Sequence, residues 1–174
     1  SDKDGNVFFA DPVAGRIYKS DAGRKVTVFK ENAGGAAALR FGPDGVLFAS
    51  QPARKRIVSF SSSGDEKTVA QNVEASDLAV TAKGEIYYTD PASRTVGFID
   101  AKGQKHVAYS GGEIASPKAL SLSPDQAMLI VGDAQTRFSW SFQIAKDGSL
   151  INGEPFFRVD MPELSQASVV GGVT

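Results

Sequence analysis

The sequence predicts an all-β protein, a β-propeller built from four blades of four strands each. Three observations predict this fold. A short segment of apolar and aromatic residues recurs about every forty residues, a tight turn precedes each copy, and no stretch of eleven residues has helical periodicity. A repeat near this length with several strands per unit is typical of propeller blades.

The recurring segment is predicted to be the second strand of each blade. Phe8, Phe48, Tyr87 and Ile130 occupy its equivalent positions and are spaced by 40, 39 and 43 residues. The four copies are Val7–Asp11, Leu47–Ser50, Ile86–Asp90 and Leu129–Asp133. Asp4-Gly5, Asp44-Gly45, Lys83-Gly84 and Pro124-Asp125 precede them as turns, where glycine can adopt a positive φ.

Two further strands are predicted after each aromatic segment, because apolar and polar residues alternate there with a period of two. The third strands are predicted at Arg16–Lys19, Arg56–Phe60, Thr95–Ile99 and Phe138–Phe142. The outer strands are predicted at Val26–Phe29, Lys67–Ala70, Lys105–Ala108 and Phe156–Val159. Strands that alternate in this way are half-buried, as expected between neighbouring blades.

The innermost strand of a blade lines the propeller channel, and three copies are recognised at Ala37–Phe41, Ser76–Val80 and Lys118–Leu122. The first blade has no copy before its turn, and we expect residues 170–174 to supply it and to close the ring. The chain is then one domain with blades near 1–34 plus 170–174, 35–74, 75–115 and 116–169. The alternative is part of a six-bladed propeller.

Composition excludes several classes of function. The formal net charge is −1 with no basic cluster, so nucleic-acid binding is not expected. The absence of cysteine excludes disulfides, thiolate zinc sites and cysteine nucleophiles. No apolar run has the length of a membrane span and no targeting segment is recognised, so we expect a soluble protein of unknown compartment, no membrane partner and a monomeric state.

Several segments together resemble the gluconolactonase/regucalcin (senescence marker protein) family of β-propellers, and the likeness covers nearly the whole chain. They are Phe9-Ala10-Asp11-Pro12 with Gly15–Tyr18, Phe41–Gly45, Ile86–Pro91, Ser123–Gln126, and Trp140–Phe142 through Asp147–Leu150. The resemblance implies a six-bladed ring in which many members hydrolyse sugar lactones with one divalent cation in the channel. This chain has repeats for four blades.

The resemblance also implies that metal and substrate groups lie where the inner strands begin, and those positions are substituted here. In place of the expected motifs Asn-Gly, Asn-Asp, Pro-Asn-Gly and Asp-Gly, this sequence has Ala37-Ala38, Ser76-Asp77, Pro117-Lys118-Ala119 and Gly171-Gly172. Calcium takes roughly six to eight oxygen ligands. Ala37 and Gly171 offer no side-chain oxygen, and Lys118 brings a positive charge. Ser76, Asp77 and Lys118 remain as channel-lining candidates, with no catalytic residue and no metal ligand set.

The sequence therefore favours a non-catalytic propeller scaffold or binding module related to gluconolactonases, with an unidentified protein or small-molecule ligand. Its four-blade repeat is consistent with a remodelled or engineered reduced-blade propeller. The alternative is a divalent-metal-dependent sugar lactone hydrolase, with calcium or another divalent cation as cofactor if the family site survives; otherwise no cofactor is expected. A third hypothesis is a fragment that completes a larger ring by oligomerising.

Three smaller expectations concern individual residues. Asp77 and Lys118 begin inner strands of adjacent blades and are predicted to pair in the channel mouth. His106, the only histidine, is predicted to lie on the surface of an outer strand. Asp11, Asp90 and Asp133 follow equivalent strands and are predicted to cap turns.

Overall fold

The computed structural model describes residues 1–158, and these residues form a nearly all-β chain. The strands are β1 Val7–Asp11, β2 Arg16–Ser20, β3 Val26–Lys30, β4 Leu39–Phe41, β5 Leu47–Gln51, β6 Arg56–Phe60, β7 Glu66–Gln71, β8 Leu78–Val80, β9 Ile86–Asp90, β10 Thr95–Ile99, β11 Lys105–Tyr109, β12 Pro117–Leu122, β13 Met128–Asp133, β14 Phe138–Ile144 and β15 Leu150–Arg158. One short 3₁₀ helix, Pro52–Arg54, connects β5 to β6.

The strands form four consecutive antiparallel sheets, each of which is one propeller blade. The first blade contains β1-β2-β3, the second β4-β5-β6-β7, the third β8-β9-β10-β11 and the fourth β12-β13-β14-β15. The predicted four-bladed all-β fold is therefore confirmed. The strand expected to complete the first blade, residues 170–174, lies outside the described residues, so closure of the ring stays a prediction.

Three hydrophobic clusters join the consecutive blades within residues 1–158. Ile17, Leu47 and Val58 belong to the cluster between the first and second blades. Ile57 and Ile86 belong to the next cluster, and Tyr87, Val96, Leu129, Val131 and Phe142 are among the residues of the cluster between the third and fourth blades. The second and third blades thus bury one face against the blade before and the other face against the blade after.

A turn with the same backbone hydrogen bond over three residues precedes β1, β5, β9 and β13. Gly5, Gly45 and Gly84 have φ of 79°, 77° and 78°, and each donates its N–H to the carbonyl three residues earlier. In the fourth blade the equivalent residue is Gln126, with φ of 56° and the same hydrogen bond. The prediction of the turn is confirmed, although the fourth copy adopts the left-handed conformation without glycine.

The prediction of the last outer strand was wrong at its start. β15 begins at Leu150, immediately after the turn that follows β14, whereas the sequence pattern placed its start at Phe156. Two irregularities interrupt the pairing of β14 with β15, between Ser139 and Trp140 and between Ser141 and Gln143. These bulges break the alternation of side chains, so the pattern could not identify the first half of the strand.

One buried hydroxyl ties the third blade to the fourth. Tyr87 is 1% exposed, and its Oη donates a hydrogen bond of 2.9 Å to the carbonyl of Gly148, in the turn between β14 and β15. Burial raises the pKa of the Tyr87 hydroxyl, so the group stays a proton donor at neutral pH.

Tyr87→Phe is expected to lower the free energy of unfolding by about 1–2 kcal/mol, because the Gly148 carbonyl loses its buried donor. The measurement is urea unfolding followed by fluorescence. Tyr88→Phe is the matched control, since Tyr88 is the neighbouring tyrosine of β9, is 8% exposed, and its hydroxyl makes no hydrogen bond within residues 1–158. Equal effects of the two substitutions would show that the hydrogen bond contributes nothing specific.

Candidate functional site

The inner strands β4, β8 and β12 bring the second, third and fourth blades together around the channel axis. Between them lies an open cavity of about 320 Å³. It is lined by Arg40, Phe41, Ala79, Val80, Leu120, Ser121 and Leu122. Arg40 is the one charged side chain of this lining, so the cavity combines apolar walls with a single guanidinium group.

Asp77 lies just before β8 and joins three blades through its carboxylate. Its Oδ1 accepts the N–H of Leu78 at 2.8 Å, within its own blade, and its Oδ2 accepts the N–H of Leu120 in the fourth blade at 3.0 Å. The Nη2 of Arg40, in the second blade, lies 3.2 Å from Oδ1 and 3.3 Å from Oδ2. Both carboxylate oxygens are therefore engaged by protein donors.

The predicted pairing of Asp77 with Lys118 is corrected by this geometry, because the ion-pair partner of Asp77 is Arg40. Lys118 is exposed on β12, and its backbone carbonyl accepts a hydrogen bond of 3.2 Å from the hydroxyl of Thr89. Sequence reasoning missed Arg40. The available signal was a charged residue between Leu39 and Phe41 in a strand that lines the channel.

Buried hydroxyl groups hold the start of two inner strands in place. The Thr89 Oγ1 accepts the N–H of Asp77 at 3.0 Å, and at the equivalent position of the second blade the Ser50 Oγ accepts the N–H of Ala38 at 3.0 Å. Ser50 and Thr89 are both fully buried. These bonds fix the backbone that carries Asp77, so its carboxylate is positioned by the strand next to it.

The other residues that the sequence places around the channel contribute backbone hydrogen bonds. Ala37 is exposed and donates its N–H to the carbonyl of Ser50 at 3.0 Å. Ser76 is half-buried and donates its N–H to the carbonyl of Thr89 at 2.9 Å. Gly171 lies outside the described residues. Across residues 1–158, no three histidine, aspartate or glutamate side chains converge as metal ligands.

The repeated aspartates cap turns, as the sequence predicts. The Oδ1 of Asp11 accepts the N–H groups of the two residues that follow Pro12, and Asp90 makes the equivalent pair of bonds in the third blade. Asp133 is fully buried and accepts three backbone N–H groups, from Ala115 at 2.8 Å, Ser116 at 3.0 Å and Gln135 at 2.9 Å. It therefore also anchors the segment that leads into β12.

His106 lies on the exposed side of β11, so its predicted surface position is confirmed. Its Nε2 lies 3.1 Å from the Oδ2 of Asp100. The hydrogen bond from the backbone N–H of Gln104, together with the contact to His106, lowers the pKa of the Asp100 carboxyl. β11 is the outer strand of the third blade, at the opposite edge of the sheet from the inner strand β8. The contact between His106 and Asp100 therefore lies at the surface, within one hairpin.

A second cleft, of about 350 Å³, lies between the first and second blades. Its floor consists of phenylalanine rings, including Phe8 and Phe41 with ring centroids 5.1 Å apart, and its rim carries aspartate and lysine side chains such as Asp2 and Lys19.

No helix among the described residues has the length and apolar character needed to cross a membrane.

The comparisons with solved structures identify the fold. A gluconolactonase from Xanthomonas campestris superposes with a TM-score of 0.79 at 18% identity, over 88% of this chain and 59% of that one. Virginiamycin B lyase from Staphylococcus aureus superposes with a TM-score of 0.72 at 14% identity, over 92% of this chain and 54% of that one. A chain of a nidogen/laminin complex gives a TM-score of 0.79 at 17% identity, over 96% and 64%.

These likenesses show a gluconolactonase-like β-propeller fold at low sequence identity. The chain spans less than two thirds of the length of each of these three proteins. No family model matches the sequence, and no curated protein matches it either. Because proteins named as a lactonase, a lyase and part of a nidogen/laminin complex share the architecture, the fold is compatible with both catalysis and binding.

Proposed function

We propose that this gluconolactonase-like β-propeller is a non-catalytic scaffold or binding module. The observation that carries the proposal is the state of Asp77, the one carboxylate at the predicted channel positions. Two backbone N–H groups and the Arg40 guanidinium occupy both of its oxygens. A carboxylate used in this way joins blades and has little capacity left to coordinate a cation.

The donor chemistry at the remaining positions supports the same proposal. A calcium ion takes roughly six to eight oxygen ligands, commonly carboxylates and amide carbonyls. The aligned positions offer Ala37, Ser76 and Lys118, which together supply one hydroxyl and one ammonium group. Arg40 adds a second positive charge to the channel lining, and Coulomb repulsion disfavours a divalent cation near it. The residues present do not fit the lactonase metal site that the resemblance implies.

A thermal melt with added calcium tests the proposal. We expect the same melting temperature with calcium and with a chelator, and no hydrolysis of δ-lactones. A ligand specific for the folded state adds about 2.7 kcal/mol at a hundredfold excess over its Kd. For a chain of this size, that corresponds to a rise of about 5–10 °C in melting temperature.

Two variants locate any calcium effect that is observed. Asp77→Asn alters the channel carboxylate, whereas Asp125→Asn alters an exposed carboxylate in a turn. A calcium-dependent rise that disappears in Asp77→Asn and persists in Asp125→Asn, accompanied by lactone hydrolysis, would overturn the scaffold proposal. The divalent-metal-dependent lactone hydrolase would then be the better description.

A further inference from the structure

The cleft between the first and second blades has a floor of phenylalanine rings that stand nearly perpendicular to one another. Phe8 lies edge-to-face against Phe29 and against Phe41, with ring centroids 5.0 and 5.1 Å apart, and Phe29 meets Phe60 in the same way at 6.4 Å. Phe8, Phe29 and Phe41 are only half-buried, so parts of their rings remain open to the cleft. Its volume of about 350 Å³ lies within the range of small-molecule pockets, roughly 300–1,000 Å³.

This cleft lies on the side of the first blade that faces the second blade. Phe8, Phe29 and Phe41 pack against the hydrophobic cluster that joins these two blades. Val7 and Phe9 are the neighbours of Phe8 on β1 and point to the opposite face of the sheet, because side chains alternate along a strand. The cleft is therefore separate from the exposed face of the first blade.

The rim of the cleft has a net negative charge. It carries three carboxylates and two ammonium groups, those of Asp2, Asp4, Asp44, Lys3 and Lys19. Asp2 and Lys19 pair with each other, with 3.8 Å between Oδ2 and Nζ. Within residues 1–158 the Asp4 carboxylate has no partner, and Asp44 uses only Oδ1, which accepts a backbone N–H at 3.1 Å. Coulomb attraction at this rim therefore favours a cationic ligand over an anionic one.

The protein's own lysines show how an ammonium group binds beside these rings. The Nζ of Lys19 lies 5.6 Å from the centroid of the Phe8 ring and 3.8 Å from the Oδ2 of Asp2. A cation within about 6 Å of an aromatic centroid is attracted by the negative face of the ring. The Nζ of Lys30 lies 5.8 Å from the Phe60 centroid, so the same contact recurs on a neighbouring ring. A phenyl face together with a carboxylate suits an organic ammonium ion.

We propose that this cleft binds a small organic cation, which consists of a substituted ammonium group on an apolar body. The ligand's ammonium group takes the place of the Lys19 ammonium over Phe8, and its apolar body contacts the rings of Phe29 and Phe41. The Lys19 side chain is 36% exposed, so it can turn into the solvent when the ligand enters. This site is separate from the channel, so neither calcium binding nor lactone hydrolysis bears on it.

A titration of the chain with choline, followed by the NMR shifts of the phenylalanine ring protons, tests the site. We expect saturable shifts with choline. Dimethylbutanol, the uncharged analogue in which carbon replaces the ammonium nitrogen, is expected to bind at least about two- to fivefold more weakly. Equal affinities for the two probes, or shifts with choline that do not saturate, would overturn the proposal.

Lys19→Met distinguishes a cation site from an anion site. The substitution keeps an apolar side chain of similar length but removes the competing ammonium group, so choline is expected to bind about two- to fivefold more tightly. Lys83→Met is the matched control, because Lys83 is exposed in a turn of the third blade and its replacement removes the same charge. Weaker choline binding in Lys19→Met, or equal tightening in Lys83→Met, would contradict binding of the cation over Phe8.

Phe8→Leu tests the contribution of the ring itself. Leucine keeps an apolar side chain but removes the aromatic face, so the Kd for choline is expected to rise about two- to fivefold. Phe48→Leu is the matched control, because Phe48 occupies the equivalent position of the second blade and packs against a different cluster. Equal changes in the two variants would overturn the assignment. Circular dichroism verifies that each variant is folded, and the comparison of the two probes on the unmodified chain decides the case if Phe8→Leu unfolds.

Discussion

Asp133→Ala is expected to lower the free energy of unfolding by about 3–5 kcal/mol, the largest effect of any single substitution considered. The carboxylate is fully buried and accepts three backbone N–H groups, from Ala115, Ser116 and Gln135. Each hydrogen bond to a charged group contributes about 1.5–3 kcal/mol, and the substitution leaves buried donors without acceptors. For a chain of this size, the melting temperature should fall by about 6–20 °C.

The matched control for this substitution is Asp11→Ala. Asp11 occupies the equivalent position in the first blade, but the two bonds that its carboxylate accepts, from Val13 and Ala14, lie at the exposed surface. Water can replace the carboxylate there, so we expect a loss of about 1 kcal/mol or less. Similar losses for Asp11→Ala and Asp133→Ala, measured by thermal and urea unfolding, would contradict the anchoring role of the buried carboxylate.

Asp77→Ala is expected to lower the free energy of unfolding by about 2–4 kcal/mol. The substitution removes the shared acceptor of the Leu78 and Leu120 N–H groups and leaves the Arg40 guanidinium without its ion-pair partner. Since the Arg40 side chain is 41% exposed, the ion pair itself contributes only a small part of this loss. Urea unfolding measures the change.

Lys118→Ala provides the comparison for Asp77→Ala. Lys118 lies in the neighbouring inner strand, but its exposed side chain is not the partner of Asp77. We expect a change within about 0.5 kcal/mol, as for ordinary surface substitutions. A large loss in Lys118→Ala together with a small loss in Asp77→Ala would restore the pairing that the sequence alone suggested.

Sequence patterns were sufficient for the strands and turns because these depend on local chemistry. β9 and β10 run over Ile86–Asp90 and Thr95–Ile99, the bounds predicted from alternation. The same reasoning failed at β15, where bulges opposite β14 interrupt the alternation. Alternation of apolar and polar residues therefore predicts a strand where its pairing is regular. It fails where a bulge adds an extra residue to the strand, as in β15.

The side-chain contacts between inner strands of different blades could not be predicted from local sequence patterns. Asp77 was identified as a channel residue, but its bonds to Arg40 and Leu120 join positions 37 and 43 residues away along the chain. Which side chain reaches a given carboxylate depends on how neighbouring blades are rotated against one another, and no spacing within a single repeat contains that information. The capping bonds of Asp11 and Asp90, by contrast, involve N–H groups two or three residues away and were predicted correctly.

The three-blade contact of Asp77 has a consequence for the dynamics of the chain. Repeat arrays are stabilised mainly by neighbouring units, so their ends open more readily than their middle. Asp77 links the second, third and fourth blades into one cooperative unit, and the first blade is outside this link. Amide hydrogen exchange should therefore be fast in β1 to β3 and slow, with a common opening free energy, in β8, β9 and β12. The contacts of the Asp77 carboxylate are therefore expected to determine which blades open together.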